Sequence, residues 1–320
     1  MTAALLLLSW SLAAACCGGR VIDRGRWQHR SPRHGVLAWQ SLSFSVILAA
    51  ALAGVALALP WLPVEGWLNR TLGHVSPAVI AHYETSLGAW PGVVGLAAVA
   101  MALAALGATV ARVLLRDRGR RRQQRDLLNL VGRPHPDGFT VIDTDVPLAY
   151  CLPGRSGSVV LSSGAVALLT DEERRLVLGH EHRHLSARHH LPLVLAEALD
   201  RTFPGIPLFR TALERVRVLV EMAADDTATT AQERLVLARA LVAMGTGSRP
   251  GAALGASDTA SVQRVRRLAA SPARRSKSGV LVAPAIGIVM TLPVGLAAAP
   301  GIEAVTTDCC RLEAAALARS

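Results

Sequence analysis

Four stretches of the chain contain no Asp, Glu, Lys or Arg and are rich in apolar residues. They cover residues 1–19, 35–64, 85–111 and 278–302. A helix needs about 20 consecutive apolar residues to cross the hydrocarbon core of a bilayer. The pattern therefore predicts three membrane helices, at about 1–19, 35–60 and 88–112, and a fourth at 278–302.

The first stretch also fits a cleaved signal peptide, and Ala13-Ala14-Ala15-Cys16 resembles a lipoprotein cleavage site. A signal peptide begins with a positively charged region that precedes its apolar segment. Here the arginines follow the apolar segment, beginning with Arg20. Retention of residues 1–19 as a first membrane helix is therefore the favoured interpretation.

No comparable stretch occurs between residues 112 and 277, and short apolar runs there indicate β-structure. The runs at 139–143, 148–152 and 158–162 are rich in Val, Ile and Leu, as strands are. Pro153-Gly154-Arg155-Ser156-Gly157 has the composition of a turn between the second and third runs. The pattern predicts a small sheet.

Helical periodicity follows the predicted strands. Thr170 with Glu173 three residues later forms a capping box, which predicts a helix that begins here and ends near Ser186. A second amphipathic helix is predicted from about Leu208 to Asp226. Residues 116–277 are thus predicted to form an α+β domain between the third and fourth membrane helices.

The basic residues lie on alternate sides of the predicted membrane helices. Arginine clusters occur in residues 20–33, 112–125 and 264–277, whereas residues 65–84 and 303–320 are not basic. Basic loops stay on the cytoplasmic side of a membrane. The distribution predicts a multi-pass plasma-membrane protein with its N- and C-termini outside, the 116–277 domain in the cytoplasm, and a short extracytoplasmic tail at 303–320.

Composition supports a membrane protein over a nucleic-acid-binding one. Charged residues make up 18% of the chain, below the roughly 25% of a soluble domain, and 51% are apolar, which also excludes intrinsic disorder. A net charge of +11 would fit a nucleic-acid partner. The arginine clusters flank membrane segments instead, so we expect a lipid bilayer as a partner and no nucleic acid.

The predicted helix that ends near Ser186 carries the sequence His180-Glu181-His182-Arg183-His184, an H-E-x-x-H motif. Residues four apart on a helix share a face, so His180 and His184 can converge on one metal ion. Glu181 lies beside that face, where a carboxylate can accept a proton from water. The motif predicts His180 and His184 as zinc ligands and Glu181 as the catalytic base.

Three further histidines lie close to the motif: His182, His189 and His190. His190 lacks the Gly-x-x-His context that marks the third ligand of a metzincin. We predict that all three are only solvated.

A catalytic zinc ion keeps three protein ligands and one open position. Glu221 and Asp225 lie one turn apart at the end of the second amphipathic helix and share a face. Glu221 is predicted as the third ligand, and Asp225 as the hydrogen-bond partner of a ligand histidine. Asp226 points about 100° away and is predicted to matter least. The alternative is a solvated acidic helix end.

These motifs resemble those of a known family. Gly179-His180-Glu181-x-x-His184 followed by Glu221-x-x-Ala224-Asp225 resembles the pattern of gluzincin membrane proteases. The stretches 149–154 and 159–164 look like the hairpin that precedes their active-site helix. Three helices, a cytoplasmic zinc domain and a fourth helix resemble the β-lactam-sensor antirepressor family (BlaR/MecR type, metallopeptidase family fifty-six). The related HtpX/CAAX-type family forty-eight shares the motif with a different helix layout.

The resemblance implies a mostly α fold: a four-helix transmembrane protein with an inserted α+β gluzincin-like zinc protease domain and one Zn²⁺ per chain. A peptide would be aligned by strand addition, for which Ala149, Tyr150, Val159 and Val160 are the candidates. The sensors carry a large extracellular penicillin-binding domain after the last helix, where only residues 302–320 follow here. Sensing of β-lactams is therefore not expected.

Three functions remain open. The first is a zinc endopeptidase that cleaves a cytoplasmic or membrane protein, with a transcriptional repressor in a signalling pathway as one candidate substrate. The second is a quality-control protease for membrane proteins. The third is a non-proteolytic membrane receptor. The presence of Glu181 favours a protease, because a protein that only binds needs no base there.

Overall fold

The computed structural model describes residues 2–25, 27–62, 83, 88–154, 157–247, 256–270 and 278–317. Within these ranges the protein is mostly helical and contains one four-stranded sheet. The expected combination of long apolar helices with a small α+β unit is therefore present.

Four of the described helices are long and apolar enough to cross a membrane. The candidate spans are Thr2–Asp23 (α1), Pro32–Trp61, Trp90–Val131 (α4) and Val282–Ile302. A short helix α2, Trp27–Arg30, precedes helix α3, Pro32–Ala58, which forms most of the second span. The fourth span lies within helix α11, Ser278–Leu317. Each span overlaps one of the four charge-free stretches, which is consistent with a membrane location, whereas the orientation of the chain stays a prediction.

Helix α4 is longer than the sequence pattern predicts. Its apolar part was expected to end near residue 112, but the helix continues to Val131 through the arginine cluster. The additional residues extend it by roughly 30 Å, at 1.5 Å per residue. The polar half of α4 therefore leads directly into the sheet.

Small residues let α3 and α4 approach each other closely. A Cβ atom at Gly95 would lie 3.1 Å from the Cα of Gly54, and one at Gly92 would lie 2.8 Å from the Cα of Ala58. Contacts of this kind between small residues are typical of packed membrane helices.

The sheet consists of four strands: β1 (Arg133–Pro134), β2 (Thr140–Ile142), β3 (Ala149–Leu152) and β4 (Ser158–Ser162). Their order is β1-β2-β4-β3, with β2 and β4 parallel and β3 antiparallel to β4. The three strands predicted from the sequence are confirmed, while β1 was not predicted. Part of the predicted turn, residues 155–156, lies outside the described residues.

The order of the strands corrects one expectation about the substrate. Val160 pairs with Thr140 of β2 on one side and with Tyr150 of β3 on the other, and Val159 and Val160 are both buried. The prediction that Val159 and Val160 align a peptide by strand addition is therefore wrong, because β4 lies between two other strands. Strand β3 is at the end of the sheet.

Six helices lie between the sheet and α11 in the described part of the chain. They are α5 (Ser163–Leu168), α6 (Asp171–Ser186), α7 (His190–Thr202), α8 (Pro207–Asp225), α9 (Ala231–Gly247) and α10 (Ala256–Ala269). Both reciprocal hydrogen bonds of the Thr170–Glu173 capping box are present, so the predicted start of α6 is confirmed. The predicted helix to Asp226 is α8.

Helix α8 packs directly on the apolar helix α3. Trp39 of α3 is fully buried in a shared core with Phe209 and Val216 of α8, and its indole N–H donates to the Oε1 of Gln28 at 3.1 Å. Arg215 of α8 also forms an ion pair with Asp23 at 2.6 Å. The helix that carries the acidic residues is thus held against the first two apolar helices.

A second core holds α6, α9 and α10 together. Leu176 and Val177 of α6 pack with Leu237 of α9 and Leu268 of α10. This core places the H-E-x-x-H helix α6 beside α10.

Candidate metal centre

Helix α6 presents His180 and His184 on one face, as their spacing predicts. Their Nε2 atoms lie 3.1 Å apart. His180 is buried, and His184 is partly buried. Leu176, one turn earlier on the same helix, is anchored in the second core and fixes the rotation of α6 about its axis.

Helix α8 brings Glu221 to the same point. One oxygen of Glu221 lies 3.4 Å from the Nε2 of His180, and the other lies 3.5 Å from the Nε2 of His184. Among the described residues, His180, His184 and Glu221 form the one group of histidine, cysteine and acidic side chains whose ligand atoms converge in this way, all within 4.8 Å of one another. The structure therefore brings the three predicted ligands together.

The spacing of these atoms fits a tetrahedral zinc ion. Zinc bonds of about 2.0–2.1 Å place two ligand atoms of a tetrahedron about 3.3 Å apart. The two imidazole Nε2 atoms, 3.1 Å apart, lie close to that value, and each is 3.4 or 3.5 Å from a different oxygen of Glu221. With one oxygen of Glu221 taken as the ligand, the three atoms all lie within 4.8 Å of one another. Two imidazoles and one carboxylate are also a common ligand set of catalytic zinc.

Asp225 lies beside the Nδ1 atom of the His180 ring, on the side away from Glu221. Its Oδ1 is 3.1 Å from the Nδ1 of His180, and its side chain has no exposed surface. A carboxylate in this position holds an imidazole with its Nε2 directed at a metal. Asp226 points elsewhere and pairs with Arg267.

Arg264 also reaches the candidate ligands, a position that its place in a basic cluster beside a membrane helix did not predict. Its guanidinium donates to both oxygens of Asp225, at 2.8 and 3.0 Å, and pairs with Glu221 at 3.0 Å. The side chain is 12% exposed. The sequence contains one signal for this position, because Arg264 and Arg267 share a helical face with the apolar Leu268. In the structure both Arg267 and Leu268 make contacts inside the protein.

The electrostatic balance of the centre follows from these contacts. Burial alone raises the pKa values of Glu221 and Asp225, but the hydrogen bonds with His180 and the charge of Arg264 outweigh burial and lower each pKa to about 2. Both carboxylates are therefore charged. Burial alone lowers the pKa of His180, but its bonds to Asp225 and Glu221 raise that pKa to about 9 in the absence of metal.

Glu181 lies next to the candidate ligands, between them and strand β3 of the sheet. Burial raises the pKa of its carboxylate, which makes it a stronger base than an exposed glutamate. The thiol of Cys151 in β3 donates a hydrogen bond to this carboxylate. Burial, followed by the nearby charge of Glu181, raises the pKa of Cys151 to about 12, so Cys151 is a protonated thiol rather than a nucleophile.

A cleft of about 410 Å³ connects strand β3 to the metal ligands. It is lined by Ala149, Tyr150, Cys151, Val177, His180, Glu181, His184, Glu221, Leu237, Leu241, Met244 and Arg264. The amide of Ser162 donates to the carbonyl of Leu148, so residues 148, 150 and 152 direct their backbone groups at β4. The backbone N–H and C=O groups of Ala149 and Cys151 therefore point away from β4, to an edge that no other strand among the described residues occupies.

The expectation for the three additional histidines needs one correction. His182 is exposed, as predicted. His190 is partly exposed and does not reach the metal ligands. His189, in contrast, is 7% exposed, and its Nδ1 lies 3.1 Å from the Nδ1 of His184. The prediction of a solvated side chain is therefore wrong for His189, because the chain turns back at the end of α6.

Comparison with protein families supports a metallopeptidase. Residues 114–249, less than half of the chain, match the family described as Peptidase family M48. The matched segment contains helices α6 and α8 and thus His180, Glu181, His184 and Glu221, whereas Arg264 lies beyond it. Peptidases of this family are metal-dependent, and the metal is usually zinc.

The match distinguishes between the two family resemblances found in the sequence. It supports the resemblance to family forty-eight, and the resemblance to the β-lactam-sensor family fifty-six is not confirmed. Comparison with curated proteins and with solved structures gave no match.

Proposed function

We propose that this protein is an integral-membrane zinc endopeptidase that cleaves a cytoplasmic or membrane protein. The observation that carries the proposal is the convergence of His180, His184 and Glu221, whose ligand atoms all lie within 4.8 Å of one another, beside Glu181 and in the cleft along strand β3. A site that only binds a partner needs neither the metal ligands nor a base next to them.

The proposed roles of the residues follow from their positions. His180, His184 and Glu221 hold the zinc ion, which supplies a Lewis acid for the scissile carbonyl and makes water more acidic. Glu181 accepts the proton of the attacking water and passes it to the nitrogen of the leaving amine. Its pKa, raised by burial, suits both transfers. Asp225 holds the ring of His180 in place.

Strand β3 is the proposed site of substrate alignment. An extended peptide that pairs with Ala149 and Cys151 would lie along the cleft and bring one of its carbonyl groups to the ligands. This arrangement favours substrates that offer an extended, unfolded segment. Folded proteins would be cleaved only in exposed loops or termini.

The proposed setting is the plasma membrane, with residues 116–277 in the cytoplasm. Four apolar spans and the alternation of arginine clusters support this location. The core shared by α3 and α8 would then place the active site near the cytoplasmic membrane surface. Membrane proteins and cytoplasmic proteins such as a transcriptional repressor are both within reach of such a site.

The full-length protein purified in detergent provides the test. We expect one zinc ion per chain by elemental analysis and cleavage of an unfolded protein such as casein. A strong chelator should abolish cleavage, and added zinc should restore it. Absence of bound zinc after expression in zinc-containing medium, together with no cleavage, would refute the proposal.

A further inference from the structure

The C-terminal end of α6 is a turn that reverses the chain beside a metal ligand. The amide of Arg188 donates to the carbonyl of Leu185 at 3.1 Å, and the amide of His189 donates to the carbonyl of His184 at 3.1 Å. These two bonds define a Schellman motif, in which Arg188 takes the left-handed conformation that glycine usually occupies. Arg188 has a φ of 50°.

The Schellman motif brings the side chain of His189 into contact with the ring of His184. Residues that occupy the positions of His184 and His189 in such a motif are brought into contact by the turn. Here the two rings are perpendicular, with centroids 4.8 Å apart, and their Nδ1 atoms are separated by 3.1 Å. His189 is buried, so water does not compete for this contact.

The direction of this hydrogen bond follows from the geometry of the metal centre. The Nε2 of His184 faces Glu221 and His180 and is the atom that would bind zinc. The proton of a neutral imidazole bound in this way is on its Nδ1 and needs an acceptor. The Nδ1 of His189 lies 3.1 Å from the Nδ1 of His184 and therefore accepts this hydrogen bond.

The two ligand histidines thus have separate supports. His180 is held through its Nδ1 by Asp225, and His184 is held through its Nδ1 by His189. Asp225 comes from a different helix, whereas His189 comes from the turn that ends the ligand helix itself. The left-handed Arg188 is consistent with such a role, because a non-glycine residue keeps this conformation only where its surroundings enforce it.

We propose that His189 is a positioning residue that fixes the tautomer and the ring orientation of His184 for zinc binding. The inference rests on the proposed zinc function and adds to it a residue outside the ligand set. It assigns to His189 a role in metal affinity and not in the proton transfers of the reaction.

Two substitutions of His189 distinguish a role in orienting the His184 ring from a role in packing alone. His189→Leu fills similar space but has no acceptor, whereas His189→Asn places an amide oxygen near the position of the Nδ1. We expect His189→Leu to weaken zinc binding by roughly 10–100-fold and His189→Asn to restore most of that loss. A packing role would give the opposite order, with leucine the better replacement.

The measurement is zinc affinity of the full-length protein in detergent, by competition with a fluorescent chelator at one pH near neutrality. His190→Leu is the matched control, because His190 is adjacent in sequence but does not reach the centre; we expect its affinity to equal that of the unmodified protein. Thermal unfolding of the zinc-free variants shows whether each one is folded.

The outcomes distinguish the inference from the proposed function. If the unmodified protein binds no zinc, the proposed function fails. If it binds zinc and His189→Leu binds equally well, or if His189→Asn binds no better than His189→Leu, the positioning role of His189 is overturned while the zinc site stands.

Discussion

The guanidinium of Arg264 binds both carboxylate oxygens of Asp225, at 2.8 and 3.0 Å, although the two residues are 39 positions apart in the chain. Asp225 has no exposed side-chain surface, so Arg264 places a positive charge directly against a fully buried carboxylate. The same guanidinium pairs with Glu221. Helix α10 is therefore part of the candidate metal centre, although it contributes none of the predicted ligands.

Removal of Arg264 should destabilise the protein as well as the centre. Arg264→Met retains the apolar stem but removes the guanidinium that binds the buried Asp225 carboxylate, and breaking a buried ion pair typically costs about 3 kcal/mol. We expect the midpoint of thermal unfolding to fall by roughly 10 °C. Arg266→Met, on the exposed face of α10, is the control and should change it little. Equal midpoints for the two variants would contradict this role.

The three acidic residues at the end of α8 should differ in their effect on zinc content. Glu221→Ala removes a ligand and should lose most of the zinc. Asp225→Ala leaves the ligands but frees the ring of His180, and such changes typically weaken affinity by roughly 10–100-fold. Asp226→Ala should retain near-normal zinc, because Asp226 pairs with Arg267 instead. Elemental analysis after dialysis measures the order, and a lower zinc content in Asp226→Ala than in Glu221→Ala would show that the assignment is wrong.

Replacement of the proposed base should separate chemistry from metal binding. Glu181→Gln keeps the shape of the side chain but cannot accept a proton, so we expect cleavage to fall below detection. Zinc content should stay near that of the unmodified protein, because Glu181 is not among the converging ligand atoms. Cleavage of casein and elemental analysis of the same preparation check both parts. Residual cleavage near the normal rate would mean that another group takes the proton.

Pairing of a substrate with the outer edge of β3 can be tested by removal of one backbone N–H group. Ala149→Pro removes an N–H that points away from β4, and proline is tolerated on edge strands. We expect cleavage of unfolded substrates to fall at least about 10-fold, roughly the loss of one well-formed hydrogen bond, with zinc content unchanged. Ala149→Val keeps the N–H and serves as the control. Normal cleavage by the proline variant would argue against strand addition at this residue.

The orientation in the membrane can be tested with topology reporters. Fusions after Val75 and after Gly247 should report opposite sides, with Gly247 in the cytoplasm, because basic clusters flank only the second of these sites. A fusion after Arg125 should agree with Gly247. The same side for Val75 and Gly247 would refute the proposed arrangement.

Much of the local structure could be predicted from the sequence, because it depends on backbone geometry and on neighbouring residues. A helix places residues four apart on one face, so the pairs His180–His184 and Glu221–Asp225 can be predicted from their spacing alone. The capping box identified the start of α6 for the same reason. The apolar stretches identified four helices that are long enough to span a membrane.

The tertiary structure decided the features that depend on residues far apart in the chain. Strand β4 became internal through its parallel pairing with β2, which no local pattern encodes, and this pairing left the free edge to β3. Arg264 reached Asp225 because α10 packs on α6 and α9 through Leu268. His189 turned back onto His184 through a left-handed arginine, where the sequence lacks the glycine that usually marks such a turn. In each case the conformation is set by packing and by long-range hydrogen bonds, whose free energy is gained only when the chain has folded.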